Sequence, residues 1–414
     1  MTKRRVVVTG IGAISPVGLT APDTWRNMLN GKSGVGQITL FDVSEFKTKI
    51  AAEVSDFDPL NYFDSKEARK LDRYTQFAMV ASDEALADSG LVLDKEDRER
   101  IGVLIGSGIG GMFSFEAEHT KLMEKGPKRV SPFFIPQMIA DIAAGHVSMK
   151  YQLKGPNYAT VSACATSGHS IGLGLRTIQF GDADIMVCGG AEASVSPMGV
   201  AGFNAAKALT TRNDDPEHAS RPFDKERDGF IIAEGGAVVI LEELEHALAR
   251  GAKIYSEISG LGFTADAYHI TQPAPGGEGA IRAMRLAVKD AGMQLTDVDY
   301  INAHGTSTYF NDKNESEAIR SLFGAHADKL NVSSTKSMTG HMLGAAGAIE
   351  MIAATMSVKE DIIPPTMNYE VPDPECTLNY TPNKAVKKTV NVAISNSFGF
   401  GGHNTCLCVH KFNK

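Results

Sequence analysis

Short runs of valine and isoleucine bounded by glycines alternate along the chain with stretches whose apolar positions recur every three or four residues. The first pattern fits strands buried on both faces and the second fits helices laid against them, so the chain reads as α/β layers around a largely buried sheet. The opening RRVVVTGIGAIS is a strand running into a glycine-punctuated turn, and the later YSEISGLGFTAD has the same form. EALADSGLVLDKEDRERIGVLIGSGIGG gives a helix ending at Asp-Ser-Gly, a linker, a strand and a small-residue turn, and LAVKDAGMQLTDVDYINAHGTST repeats that plan. A third parallel joins NYATVSACATSGHSIGLGLRTIQFG to LNVSSTKSMTGHMLGAAGAIEMIAATM, each a strand, a turn and a helix rich in small residues. Element order is kept while spacing is not. This predicts a duplicated α/β unit, with halves over 1–250 and 251–414 and two stacked mixed sheets between helical layers. No Gly/Ser linker separates the halves, so they are expected to pack as one body.

Composition narrows the function more than the fold. A net charge of −8 gives no reason to expect nucleic-acid binding, and an acidic partner would need a local basic patch. No apolar stretch reaches the roughly 18–20 residues that span a bilayer, and the N-terminus lacks a secretory signal, so no membrane insertion is expected. The five cysteines are scattered without a CxxC pair, which argues against a disulfide framework or a zinc knuckle and for a reducing cytoplasm.

Three residues stand in settings that suit chemistry. Cys164, in TVSACATSG, falls at a strand-to-helix turn, where free N–H groups and partial positive charge favour a thiolate and can face an oxyanion. The alternative for Cys164 is a small buried hydrophobe. Cys188, Cys376, Cys406 and Cys408 read as structural. His304 ends the strand DYINAH, and His341 stands before the small-residue helix start LGAAG. In the duplicated plan His341 falls near the counterpart of Cys164, and His304 near the counterpart of the GSGIGG turn. That turn fits GxGxxG by spelling only, and no convincing ribose-binding acid follows it.

VSACATSG, NAHGTST, SSTKSMTGHMLGAAGAIE and SNSFGFGG, together with SRPFDKERDGFIIAEG, resemble the β-ketoacyl-[acyl carrier protein] synthases, most closely type II, over essentially the whole chain. The resemblance implies the thiolase fold, a five-layer αβαβα arrangement. It implies decarboxylative condensation of malonyl-[acyl carrier protein] with an acyl chain held on Cys164. His304 and His341 would hydrogen-bond the malonyl thioester, Lys336 would tune the site, and the N–H groups of Cys164 and Phe400 would form the oxyanion hole. Phe398, Gly399, Phe400 and Gly401 would belong to a mobile gate, and Thr306 and Thr308 would meet the phosphopantetheine arm. No cofactor is required, since 4′-phosphopantetheine arrives on the carrier. A monovalent cation would match Asn302, Glu350 and Asn396.

The same resemblance places Ile109 in the acyl pocket and implies a preference for long chains, C16 to C18. Acyl- and malonyl-loaded carrier proteins are the expected partners, and a homodimer the expected assembly. Lys66, Arg69, Lys70 and Arg73 recur at the spacing of one helical face, and Lys125, Lys128 and Arg129 add a second basic cluster, so both suit an acidic carrier. Two positions depart from the family pattern: Tyr309 replaces a usual proline after HGTST, and His403 a frequent threonine after FGFGG. A thiolase would carry a second catalytic cysteine near the C-terminus, a type III synthase would use Cys-His-Asn, and a noncatalytic chain-length factor would lack Cys164.

Overall fold

The computed structural model describes residues 3–413. Ten strands form the main sheet: β1 Val6–Ile14, β2 Ile101–Gly106, β3 Asn157–Tyr158, β4 Ile185–Glu192, β5 Gly235–Glu243, β6 Ser256–Ala265, β7 Tyr300–Asn302, β8 Asn331–Ser333, β9 Val392–Gly399 and β10 His403–His410. Their spatial order is β3-β2-β4-β5-β1-β6-β10-β9-β7-β8. Read outward from the centre, each half runs through the same strands offset by five. The pairing repeats too. β1/β5 and β5/β4 are antiparallel and β4/β2 and β2/β3 parallel, as are β6/β10, β10/β9, β9/β7 and β7/β8 in turn.

The halves are not wholly separate sheets. Val6, Val7 and Val8 of β1 pair with Ile258, Glu257 and Ser256 of β6 and make one continuous ladder. The contact ends at a register shift between Val8 and Gly10, and a bulge of this kind bends the strand and raises its twist. Beyond it β1 hugs the helix α1 (Arg73–Ser89) so closely that a Cβ on Gly12 would lie 2.1 Å from the Ala81 carbonyl.

Past this corner the two half-sheets face each other across two buried helices, α2 (Thr166–Phe180) and α5 (Ala346–Glu360). Alternation along the strands assigns the layers. On β4, Met186 and Cys188 face the central core and Ile185 and Val187 the outer one; on β10, Leu407 and Val409 face inward and Cys406 and Cys408 outward. α1 covers the outer face of the first half, and α3 (Glu278–Asp290) with α4 (Tyr309–Phe323) that of the second. The result is the expected five layers. α5 is buried from Ala346 to Val358, which explains why its sequence is apolar and small on every side. Close packing sets the glycines of α2, since a Cβ on Gly174 would sit 2.2 Å from the Cys188 sulfur.

Candidate active site

Each central helix is entered through a one-turn 3₁₀ segment, Ala163–Ala165 before α2 and Leu343–Ala345 before α5. Ala163 and Leu343 both have positive φ, 50° and 44°, a strained conformation for residues with a Cβ. In the first turn this strain presents Cys164 at the floor of a cleft of about 310 Å³. The Phe400 N–H points at the Cys164 sulfur. Burial pushes the thiol up to about 12, against the pull of the Lys336 charge and of that N–H. Burial thus works against the helix start, which the sequence credits with favouring a thiolate.

His304 and His341 line the same cleft with their rings edge to face, 5.4 Å between centroids. His304 follows β7, and its N–H and that of Gly305 donate to the buried Glu315 of α4 at 2.9 and 2.8 Å. His341 is fixed through its backbone, its N–H donating to the Ile231 carbonyl at 2.7 Å, and its ring packs edgewise on Phe230. Burial first, and the Lys336 charge second, hold both imidazoles well below their ordinary range, so both are neutral at physiological pH.

Lys336 stands behind the cleft, 2% exposed. Its ammonium donates to the His304 carbonyl at 2.6 Å, pairs with Glu350, and faces His304 Nδ1 at 3.4 Å. Because an ammonium only donates, Nδ1 must present its lone pair, and the imidazole proton sits on Nε2. The buried oxygens Asn302 Oδ1, Glu350 Oε2 and Asn396 Oδ1 have no hydrogen-bond partner. Three unpartnered oxygen donors fit a cation with oxygen ligands.

Thr306, Thr308, Phe398, Gly399 and Phe400 also line the cleft. The two threonine hydroxyls meet at 2.9 Å. Gly401 lies on the rim, its N–H donating to the Ile270 carbonyl at 2.7 Å. Tyr309 lines the cleft under the Arg227 guanidinium and donates its hydroxyl to Glu375 at 2.7 Å, whereas His403 is exposed beside Gly401. Ile109 does not line the cleft; it is 39% exposed on a turn that packs behind the Cys164 turn.

The basic face needs one correction. The helix holding Lys66 spans only Ser65–Ala68, and Asp72 caps a new helix that begins at Arg73. Arg73 is thereby turned inward onto the buried Glu234, at 2.6 Å, and leaves the exposed cluster. Lys66, Arg69 and Lys70 stay exposed, as do Lys125, Lys128 and Arg129, and the Lys70 ammonium over the Phe133 ring places the two clusters on one flank. Sequence reasoning passed over Lys207 and Phe230, which both line the cleft. Phe230 lies within SRPFDKERDGFIIAEG, a motif that carried no assigned role, while Lys207 follows a plain run of small residues.

The description of the β-ketoacyl synthase N-terminal domain matches residues 3–247, and that of the C-terminal domain residues 255–370. The chain belongs to the β-ketoacyl synthase family. A 3-oxoacyl-[acyl-carrier-protein] synthase 2 from Synechocystis sp. is 52% identical over 412 residues, covering 100% of this chain and 99% of that protein. The protein of the same name from Coxiella burnetii is 52% identical over 411 residues, 99% of both chains. Among solved structures, a β-ketoacyl synthase from Burkholderia phymatum superposes with a TM-score of 0.92 at 36% identity, covering 99% of this chain and 100% of that one. A type II polyketide ketosynthase solved with its acyl carrier protein gives a TM-score of 0.92 at 34% identity, with the same coverage. This β-ketoacyl synthase is thus an acyltransferase of the condensing type with the thiolase fold.

Proposed function

We propose that this synthase elongates fatty acyl chains by condensing malonyl units with an acyl group carried on Cys164, both delivered by acyl carrier protein. The Cys164 sulfur attacks the acyl thioester carbonyl, the carrier thiol leaves with the thiol proton, and the oxyanion accepts from the Cys164 and Phe400 N–H groups. Malonyl thioester then enters the same cleft. The imidazole Nε2–H of His304, and that of His341, donate to its carbonyl oxygen and stabilise the enolate formed as carbon dioxide departs. The enolate carbon attacks the Cys164 thioester, the C–S bond breaks, and 3-oxoacyl product leaves with two more carbons. A monovalent cation on Asn302, Glu350 and Asn396 would hold the Lys336–Glu350 end of the site in place.

The observation that carries this reading is the convergence of Cys164 and two neutral imidazoles on one cleft, with a buried ammonium fixing the proton of one of them. Lys66, Arg69, Lys70, Lys128 and Arg129 would receive the acidic carrier, and the edge strand β3, with its own Tyr158 and the nearby Val161 exposed, would form the homodimer contact. The Ile109 turn, which packs behind the Cys164 turn, would favour acyl chains of about sixteen to eighteen carbons. Among the described residues no helix is long and apolar enough to cross a membrane, in keeping with work in the cytoplasm. The test compares wild type with Cys164→Ala, using malonyl- and hexadecenoyl-carrier. Condensation should vanish while malonyl decarboxylation continues. Condensation persisting without Cys164 would overturn the assignment.

A further inference from the structure

One buried acid near the site has no part in these steps. Glu192 ends β4 with none of its surface exposed, and every partner of its carboxylate is a neutral donor. These are Ser107 Oγ at 2.8 Å, Gly108 N–H at 2.8 Å, Ile109 N–H at 3.3 Å, Gly344 N–H at 3.0 Å and Ser194 Oγ at 3.4 Å. Burial raises the Glu192 carboxyl above the ordinary carboxylate range, and the converging donors work against that rise. The same point of convergence explains two glycines. A Cβ on Gly344 would lie 2.3 Å from Gly108 N and 2.7 Å from Glu192 Oε2, and one on Gly108 would lie 3.3 Å from the Ala163 carbonyl. The carboxylate therefore clamps together the Ile109 turn, the Leu343–Ala345 turn whose Leu343 lines the cleft, and, through Gly108, the back of the Cys164 turn.

We propose that Glu192 is a positioning residue that couples the Ile109 turn to Cys164, setting both the acyl length that is accepted and the ease with which the thiol ionises. This rests on the reading of Cys164 as acyl acceptor and of the Ile109 turn as what sets acyl length. The geometry gives Glu192→Gln a defined effect. With its amide oxygen turned to Gly108 and Gly344 and its NH₂ turned to the Ser107 and Ser194 oxygens, the Ile109 N–H and the two serine hydroxyl protons lose their acceptor. The negative charge of the ionised form is lost as well. The groups that bear on the thiol are Lys336 and the Phe400 N–H, which favour the thiolate, and Glu192 and Glu350, which oppose it; His304 and His341 stay neutral.

Two readouts on purified, folded Glu192→Gln test the coupling. The rate of Cys164 alkylation by iodoacetamide, followed against pH, should rise about threefold or more below its midpoint, since half a pKa unit is a factor of about three. The ratio of hexadecanoyl to octanoyl transfer from carrier to Cys164, read by mass spectrometry, should fall by at least about threefold, which is the same half unit on the free-energy scale. Ile109→Gly should move the transfer ratio and leave the alkylation profile at wild type. A folded Glu192→Gln protein that matches wild type in either readout overturns the proposal, as does an Ile109→Gly protein that alkylates as fast as the Gln variant. Should Glu192→Gln fail to fold, Ser107→Ala removes one donor to the carboxylate and should shift the transfer ratio in the same direction. If wild type accepts no acyl group from any carrier, the functional reading fails, while alkylation still reports on the charge.

Discussion

The turns Ala163–Ala165 and Leu343–Ala345 are the same object built twice. Each opens on a residue with positive φ, each leads into a fifteen-residue central helix, and the two are bound to each other where the Ser167 hydroxyl accepts the Ala348 N–H at 2.9 Å. Only the first holds a cysteine. The position matching Cys164 in the second is Gly344, pressed against Gly108 and Glu192 with no room for a side chain. The second turn contributes instead the residue just upstream, His341, whose ring reaches across to the cleft. On the proposed function a repeated scaffold would divide the work: the first half would offer sulfur to the acyl group and the second N–H groups to the malonyl oxygen. What differs is the space around the turn, not its backbone.

That contrast is sharpest at Gly344, where the largest effect is expected. A methyl group there must displace backbone atoms, and overpacking of this kind costs about 1–3 kcal/mol, so Gly344→Ala should unfold at lower temperature and lower denaturant than wild type. Cys164→Ala, at the matching position, should unfold within about 1 kcal/mol of wild type, because its side chain borders an open cleft. Equal losses from the two substitutions would mean that the turns are not as different as their surroundings suggest.

A smaller effect follows from the two imidazoles of the second half. Both are held well below their unfolded value near 6.5 by burial and by Lys336. On acidification the unfolded chain takes up protons at these histidines first, so the stability they allow is present above about pH 6.5 and is lost as pH falls below it. Urea midpoints should therefore drop between about pH 6.5 and pH 5, and the drop should be shallower in His341→Asn. Malonyl decarboxylation should show no imidazole titration near pH 6.5, since the folded histidines are already neutral there. A midpoint in decarboxylation at that pH would place at least one of them outside the environment described.

Much of this was legible in the chain because the repeated motifs carry backbone demands. Strand, small-residue turn and Gly-rich helix recur in order, and the two half-sheets have the same strand order and the same pattern of parallel and antiparallel pairs. Cys164, His304 and His341 converge because they sit at equivalent sheet ends. Other features depend on partners distant in sequence. The Val6–Val8 ladder to β6 joins residues some 250 apart and leaves no local mark. Arg73 had a readable signal, since Asp72 is a good helix cap and restarts the helix there, but its inward turn depends on Glu234. The raised Cys164 thiol follows from burial by the whole cleft, which no nine-residue motif discloses.

The smallest expected effect probes the backbone the two turns share. Ala163 holds φ at 50°, a left-handed conformation that disfavours a Cβ and costs on the order of 1 kcal/mol. Ala163→Gly should remove that strain while widening the unfolded ensemble, and these oppose each other, leaving a net stability change within about 1 kcal/mol. Its consequence belongs to function. A glycine no longer obliges the turn to present Cys164, so acyl transfer to the thiol should slow while malonyl decarboxylation, which depends on the other turn, stays near wild type. Should both activities fall together, the two turns would be acting as one unit through Glu192 and the Ser167–Ala348 contact, and the division of labour would hold for their chemistry but not for their mechanics.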